Sequence, residues 1–233
     1  MNFLQKLYYL YYRPKIFFPK KTCSIFGEDL VIKKFFEKKK IGVYIDIGAY
    51  HPIHGSNTYL LYKKGWSGIN IDLSDLSIKL FKISRKRDLN LRLSVGDREK
   101  KIKYFFRKKI NMLNTTSIQS ARKNFPNGYQ VSKIQQKRLN NILNSSRFKN
   151  FQIDFLNIDV EGTEYIILKN FNFKKYIPKL ICAEIHWSHP KNSLVWKLLK
   201  KNNYSLIWKF KYSFIFKLNK GRGSGKTLVK KAN

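Results

Sequence analysis

GVYIDIGA, residues 42–49, is the stretch that decides the fold. Its β-branched and aromatic residues predict a buried strand, while Gly48 and the helical residues that resume at Asn57 predict a tight loop followed by a helix. In open α/β sheets, ligands bind where such loops leave the carboxyl ends of the strands, and a glycine there lets a ligand approach the backbone. The next glycine is Gly55. This spacing departs from the G-x-G-x-x-G pattern of pyrophosphate sites and is compatible with a nucleoside ligand that carries no phosphate.

Predicted strands and helices alternate along the chain after this stretch. Their order implies an α/β fold with a parallel sheet and right-handed crossovers, and the last two strands predict a closing hairpin or a bulged pair. An extra strand at 101–106 and a polar segment at 107–130, which we interpret as a substrate-facing flap, interrupt the alternation. The further core strands are predicted at 68–72, 89–95, 153–159, 180–186, 204–210 and 212–218, with helices at 57–64, from 74, at 161–169 and at 192–201.

The charge is unusual for a chain of globular composition. The sequence contains 48 Lys and Arg residues but only 14 Asp and Glu residues, which gives a formal net charge of +34. Such a charge attracts nucleic acid or an anionic membrane surface without specificity, but coding bias with solvated lysines explains it equally well. Because the basic residues are spread along the chain and form no motif, no specific nucleic-acid partner is predicted.

The length suits one domain, which we assign to residues 24–218. Cys23 and Cys182 form no C-x-x-C pair and fit a reducing cytoplasm. Residues 219–233 are rich in Lys and Gly and predict a disordered basic tail. Within that tail, GRGSGKT at 221–227 resembles a P-loop but lacks its first glycine and a following helix, so we reject nucleotide binding there.

Residues 1–23 form a separate, tyrosine-rich N-terminal segment. Lys6 and Arg13 interrupt its apolar run and no small-residue cleavage site follows, so it does not resemble a signal peptide. We interpret it as a flap packed on the core or as an interfacial helix in peripheral contact with an anionic membrane. The expected localisation is therefore cytoplasmic, or membrane-peripheral. A helix at 2–12 would align Leu4, Leu7, Tyr8 and Tyr11 along one face.

Several of the scarce carboxylates lie at the predicted carboxyl ends of strands. Burying a carboxylate costs several kcal/mol unless it is paired or bound to a ligand, so their convergence marks a site. Asp72 is placed to accept hydrogen bonds from two ribose hydroxyls, or else to cap the helix that begins near Ser74. NAD and S-adenosylmethionine enzymes both use an acid there, and the acid-lined loop favours the second because carboxylates stabilise a sulfonium. The converging acids are Asp46, Asp72, Asp159, Glu161, Glu164 and Glu184.

The chain resembles the FkbM-type methyltransferases. The resemblance implies a class I, Rossmann-like fold with a mostly parallel seven-stranded sheet, S-adenosylmethionine as methyl donor, and O-methylation of a hydroxyl, often on a sugar. The matching segments follow the family order and are SIFGEDL at 24–30, YIDIGA at 44–49, SNTY at 56–59 with GWSGINID at 65–72, and LNIDVEGTE at 156–164.

The resemblance also implies roles for individual residues. The fifth strand departs from the family pattern, since it ends in Glu184-Ile185-His186 where an acid followed by Asn is expected. The implied cofactor-binding residues are Asp46, Gly48, Ala49 and Asn57 around the loop, Asp72 at the ribose, and Glu28 near the methionine end.

A sugar hydroxyl is a poor nucleophile while neutral, so a base that takes its proton would help. The candidates are Asp159, Glu161 and His186, and we favour Asp159 with His186 as helper, or Asp159 as a positioning group without proton transfer. The H-x-x-H pairs at 51–54 and 186–189 raise the alternative of a divalent metal. The prolines beside them indicate ordinary loops, so no metal ligand is assigned.

The predicted function is therefore an S-adenosylmethionine-dependent O-methyltransferase acting on a sugar of a polysaccharide or glycolipid precursor. The basic surface would favour anionic or membrane-attached acceptors. Two alternatives stay open: a nucleic-acid methyltransferase, which only the net charge supports, and a non-catalytic basic binding module on the same fold.

Overall fold

The computed structural model describes residues 2–11, 22–186 and 189–219. The predicted tail lies outside these residues except for Asn219, as do Arg13 and the P-loop-like stretch. The strands are β1 (Val43–Ile47), β2 (Ser67–Asp72), β3 (Leu89–Arg92), β4 (Ser94–Val95), β5 (Lys100–Phe106), β6 (Gln130–Lys137), β7 (Phe155–Ile158), β8 (Leu180–Glu184), β9 (Tyr204–Phe210) and β10 (Ser213–Leu218).

The helices lie mainly between these strands, as the alternating pattern predicted. A short 3₁₀ turn at Pro190–Asn192 precedes the last of them. They are α1 (Phe3–Tyr11), α2 (Glu28–Phe35), α3 (Tyr59–Lys63), α4 (Asp75–Ser84), α5 (Ile118–Asn124), α6 (Leu139–Ser145), α7 (Glu164–Lys169) and α8 (Leu194–Lys201).

A seven-stranded sheet forms the centre of the fold, in the order β3-β2-β1-β7-β8-β10-β9. The first five of these strands run parallel, whereas β10 is antiparallel to both β8 and β9. This arrangement confirms the predicted α/β, Rossmann-like fold with an antiparallel C-terminal hairpin. A register shift between Ile215 and Phe216 adds a bulge to the hairpin.

β1 is the central strand, and its register places the site. All five of its residues are buried, as expected for a strand flanked on both sides and covered on both faces. Ile47 lies opposite Ile71 of β2 and Ile158 of β7. The loops that follow Ile47 and Ile158 therefore leave the same edge of the sheet side by side.

Two apolar layers hold the helices against the sheet. On one side, α2 and α3 pack on Tyr44 and Phe155, and Trp66 is fully buried among them. On the other side, a larger core includes Leu139 of α6 and Leu199 of α8. The site is thus mounted on a rigid, two-sided scaffold.

A second sheet, in the order β4-β6-β5, and the helix α5 correct two predictions. The predicted strand at 89–95 divides, because Ser94 and Val95 leave β3 and pair with β6 at Gln136 and Lys137. The segment at 107–130 is not irregular throughout, since Ser117 caps α5 by accepting a hydrogen bond from the Ser120 amide.

The N-terminal helix α1 packs on α4 through one side only. Leu7 and Leu10 contact the apolar cluster of Leu76 and Leu80. The other side of α1 is exposed, including Leu4 at 74%. Within the described residues, no helix is long and apolar enough to cross a membrane.

Candidate active site

A narrow cleft lies at the carboxyl edge of the sheet, between the loops that follow β1, β2 and β7. Four residues of the segment 111–116 also line it, and the cavity has a volume of only about 40 Å³. Three predicted site residues line it, namely Gly48, Asp72 and Asp159. The other lining residues include Ile47, Tyr50, Ile71, Leu73, Leu93, Ser94, Val95, Met112 and Thr163.

Gly48 allows the loops after β1 and β7 to touch. Its φ of +77° is in the left-handed region, and its amide donates to the Ile71 carbonyl at 2.9 Å. A Cβ at this position would lie 1.6 Å from the carbonyl oxygen of Asp159. No side chain fits there, so the glycine brings the cleft and Asp159 together.

Asp72 is held in place by two backbone amides. Oδ2 accepts from the Tyr50 amide at 2.8 Å and Oδ1 from the Ser74 amide at 2.7 Å. Burial raises the pKa of this carboxyl to about 7. Ser74 caps α4 with its own hydroxyl, which accepts from the Ser77 amide, so Asp72 is not needed as the side-chain cap. Each Asp72 oxygen can accept a further bond from a ligand in the cleft.

Asp46 belongs to a buried polar network behind the cleft. Oδ2 accepts from the Thr58 hydroxyl at 2.7 Å and Oδ1 from the Asn157 amide at 2.8 Å. Arg85, with no exposed surface, donates to the same Thr58 hydroxyl at 2.7 Å. Burial raises the pKa of Asp46, while Thr58 and Arg85 oppose the rise. Asp46 thus supports the loop from beneath.

The remaining predicted cofactor residues also lie behind the cleft lining. Asn57 donates to the Asn157 side chain at 2.9 Å, and Ala49 is buried. Glu28 is 2% exposed, and its two oxygens accept from the Ser213 hydroxyl at 2.7 Å and the Phe26 amide at 2.8 Å. Their direct contact with a cofactor stays a prediction.

Four carboxylates and an imidazole gather at this edge of the sheet, and we call them the acidic group: Asp159, Glu161, Glu164, Glu184 and His186. Glu184 lies at the end of β8, and its Oε1 is 2.9 Å from His186 Nε2. The carboxyl of Glu184 also interacts with that of Asp159. Glu161 adopts a left-handed φ of +59° and is pinned at its carbonyl by the Thr115 hydroxyl, 3.0 Å away. Glu164 accepts from the Gly162 amide. The structure therefore brings together the three predicted catalytic residues, Asp159, Glu161 and His186, around Glu184.

Burial and mutual repulsion weaken the acidity of this group. Burial raises the pKa of Asp159 well above its usual range, and Glu184 and Glu161 raise it further. Burial likewise raises the pKa of Glu184 to about 8, with Glu161 and Glu164 adding to the effect. These carboxylates therefore bind a proton, or a cation, more readily than exposed carboxylates do.

The H-x-x-H pair at 51–54 does not form a metal site among the described residues. His51 Nδ1 accepts from the amides of Ile53 and His54 at 3.1 and 3.0 Å, and Nε2 lies 2.9 Å from the Tyr9 carbonyl. Both ring nitrogens are therefore used within the protein, and His51 ties α1 to the loop.

Sequence reasoning missed one feature of the site. Arg85 carried no signal, because one buried arginine cannot be recognised among 48 basic residues. The residues of 111–116 that line the cleft lie within the segment 107–130 that we interpret as a flap, but its length and polarity do not indicate which of its residues reach the cleft. Glu184 was recognised as a converging acid, but only the fold brings its carboxyl to Asp159 and His186.

A family model matches most of the chain. Residues 46–206 match the family model described as "Methyltransferase FkbM domain". Among solved structures, a TehB-like SAM-dependent methyltransferase from Corynebacterium glutamicum is similar at 11% identity with a TM-score of 0.43, covering 84% of this chain and 89% of that chain. A comparison with curated proteins gave no match. Since the family match spans more than half of the 233 residues, the chain belongs to the FkbM methyltransferase family.

Proposed function

We propose that this methyltransferase transfers a methyl group from S-adenosylmethionine to a hydroxyl, on a sugar of a polysaccharide or glycolipid precursor. One observation carries the proposal. Asp159 lines the cleft beside Gly48 and also joins the carboxylates and imidazole beyond it. A methyl donor in the cleft and an acceptor at the acidic group would thus meet at Asp159.

The residues of the cleft fit the cofactor in kind. Asp72 would accept hydrogen bonds from the ribose hydroxyls, and the apolar side chains of Ile71, Leu93 and Val95 suit a flat ring. The present volume of about 40 Å³ is far below the several hundred that such a ligand occupies. Binding therefore requires a wider cleft than this structure has, and an outward movement of the lining segment 111–116 would provide it.

The cofactor would supply an electrophilic methyl group when bound. The protein's task is then to align the acceptor oxygen and to remove its proton. We assign the removal of the proton to Asp159, because this residue is the member of the acidic group that lines the cleft. Glu161 and His186, on the outer side, would position the acceptor, and Asp159→Asn should lower turnover while leaving cofactor affinity unchanged.

The cofactor assignment is tested by calorimetric titration with S-adenosylhomocysteine at high salt, which suppresses binding to the basic surface. We expect the wild-type chain to bind and Asp72→Ala to lose binding. Asp75→Ala is the matched control. Asp75 lies three residues after Asp72, is exposed and pairs with Lys79. Equal loss in both variants, or no binding by a folded wild-type protein, would contradict the assignment.

The acceptor class is tested with the methyl-labelled cofactor and fractions of cell-envelope glycan, lipid and nucleic acid. Label transferred to a sugar hydroxyl forms an ether that survives alkali, whereas a methyl ester does not. Label that nuclease releases would favour the nucleic-acid methyltransferase, for which the net charge of +34 is the supporting observation.

The proposal includes peripheral contact with an anionic membrane through α1. The outer side of the helix exposes Phe3, Leu4, Tyr8 and Tyr11 by 62, 74, 58 and 68%. Aromatic and apolar side chains beside a strongly basic body are typical of interfacial helices. Co-sedimentation with phosphatidylglycerol vesicles should be strong at low salt and should fall in Leu4→Ser, but not in Leu113→Ser, which changes an exposed leucine elsewhere. Equal binding by both variants would exclude α1.

A further inference from the structure

The outer part of the acidic group has the composition of a metal site. Glu161, Glu184 and His186 each offer one ligand atom, and these atoms lie within 4.8 Å of one another. The three residues lie at the carboxyl edge of two adjacent strands: Glu161 in the loop after β7, Glu184 at the end of β8 and His186 just after it. An imidazole nitrogen and two carboxylate oxygens are a common donor set for first-row divalent ions.

The carboxylates of this group have no Lys or Arg within salt-bridge distance among the described residues, although the charge of Lys123 lowers the pKa of Glu161 and of Glu184 from farther away. Elsewhere, buried Asp154 is balanced by Lys39 at 2.9 Å and Lys179 at 3.1 Å. In the part of the chain that the structure describes, no Lys or Arg lies within 4.0 Å of the carboxylates of the acidic group. That contrast is notable in a chain with 48 basic residues, since buried negative charges normally have a partner.

One oxygen of Glu184 provides a second, independent observation. Oε1 is bonded to His186, but Oε2 is buried and finds no hydrogen-bond donor among the described residues. The neighbouring polar group is the Asp159 carboxyl, which donates to Glu184 when protonated but is itself an acceptor when ionised. Whenever Asp159 is ionised, as a proton acceptor must be, this buried oxygen needs a cation beside it.

We infer that Glu161, Glu184 and His186 bind a divalent transition-metal ion such as Mn²⁺, which also coordinates the acceptor hydroxyl. This inference rests on the proposed function, because it assigns the ion to the same acceptor position. Three protein ligands leave coordination positions open, as in catalytic metal sites. The ion acidifies the bound hydroxyl, as metal ions do for water.

The group transfer balances with the residues present. The hydroxyl proton passes to the Asp159 carboxylate, and the oxygen electron pair forms the new bond to the methyl carbon. The carbon–sulfur bond breaks, and its electron pair remains on sulfur. The metal changes neither its oxidation state nor its charge, so no oxidant or reductant is needed.

The test is titration of the metal-stripped full chain with Mn²⁺ alone, followed by calorimetry and by water-proton relaxation. We expect one site in the wild-type chain and at least about tenfold weaker binding in Glu184→Gln and in His186→Asn. Glu99→Gln, an exposed acid outside the group, should bind as the wild type does. His186→Asn is the variant least expected to disturb folding, because the imidazole is 35% exposed.

Titration of the same samples with S-adenosylhomocysteine separates the two proposals. Cofactor binding without a Mn²⁺ site, or Mn²⁺ binding that both variants retain, overturns the metal site and leaves the methyl-transfer proposal standing. A Mn²⁺ site in a folded chain that does not bind the cofactor product keeps the metal site but refutes its role in methyl transfer. Cofactor binding with a Mn²⁺ site that both variants weaken supports the inference in full.

Discussion

His51 should make the folding stability of this protein depend on pH. The ring is 4% exposed, and Nδ1 accepts from the amides of Ile53 and His54. Because Nδ1 is an acceptor, the ring is neutral and its Nε2 proton is donated to the Tyr9 carbonyl. Burial lowers the pKa of His51 from 6.5 to about 4.

The sign and the size of the effect follow from this pKa. The folded value is below the unfolded one, so the unfolded chain binds the proton more readily between them. The stabilisation is complete above the unfolded pKa of 6.5 and is lost as the pH falls toward about 4. Between about pH 7.5 and about pH 5, a single group with these pKa values lowers the free energy of unfolding by about 2 kcal/mol.

Urea unfolding of the wild type and of His51→Asn at both pH values measures this term. The Asn side-chain oxygen can accept hydrogen bonds from the same two amides but does not titrate. The contributions of the other titrating groups to the pH dependence therefore cancel when the two proteins are compared. We expect the stability advantage of the wild type to shrink by about 2 kcal/mol at the lower pH. His189→Asn, which changes an exposed histidine, should show no such change. An advantage that stays constant with pH would refute the neutral, buried state of His51.

Further substitutions test the loop, the network behind it and the cleft. Gly48→Ala should unfold the chain or cost more than about 4 kcal/mol by thermal melting, whereas Gly65→Ala, also at positive φ but in open space, should cost about 1–2 kcal/mol. Arg85→Met should cost about 3–5 kcal/mol in urea unfolding, because it removes a buried cation whose charge offsets the burial of Asp46 and which donates to the Pro52 carbonyl and the Thr58 hydroxyl, while exposed Arg87→Met should cost under about 1 kcal/mol. With a pKa of about 7 at Asp72, affinity for S-adenosylhomocysteine should rise about tenfold from about pH 6 to about pH 8, and Asp72→Asn should abolish that rise. Equal losses within either pair, or a flat pH profile for the wild type, would contradict these assignments.

The main sheet could be predicted because its signals are local. Residues 204–210 form β9 with the predicted bounds, since a short run rich in aromatic and apolar side chains indicates a strand by itself. The division of 89–95 could not be predicted in this way. Val95 leaves the main sheet to pair with Lys137, and a pairing over that distance leaves no trace in the pattern around Val95.

Helix α5 shows a signal that was present but weak. Residues 118–124 are mostly polar, and only Ala121 is buried, so no apolar periodicity marks the helix. The capping serine at 117 was the available indication, because serine at a helix start accepts a backbone amide. The acids of the site were predictable for the opposite reason, as carboxylates at strand ends are conspicuous in a chain that has only 14.

The contrast between the basic surface and the acidic group constrains the acceptor under the proposed function. A net charge of +34 attracts anionic molecules from a distance, whereas the carboxylates of the acidic group, when they are ionised and carry no cation, repel an anion that comes close. Both effects favour an acceptor whose reacting sugar is uncharged and whose phosphate lies farther along, on the basic surface. Since screening at physiological salt acts over about 8 Å, that separation should be at least one sugar unit.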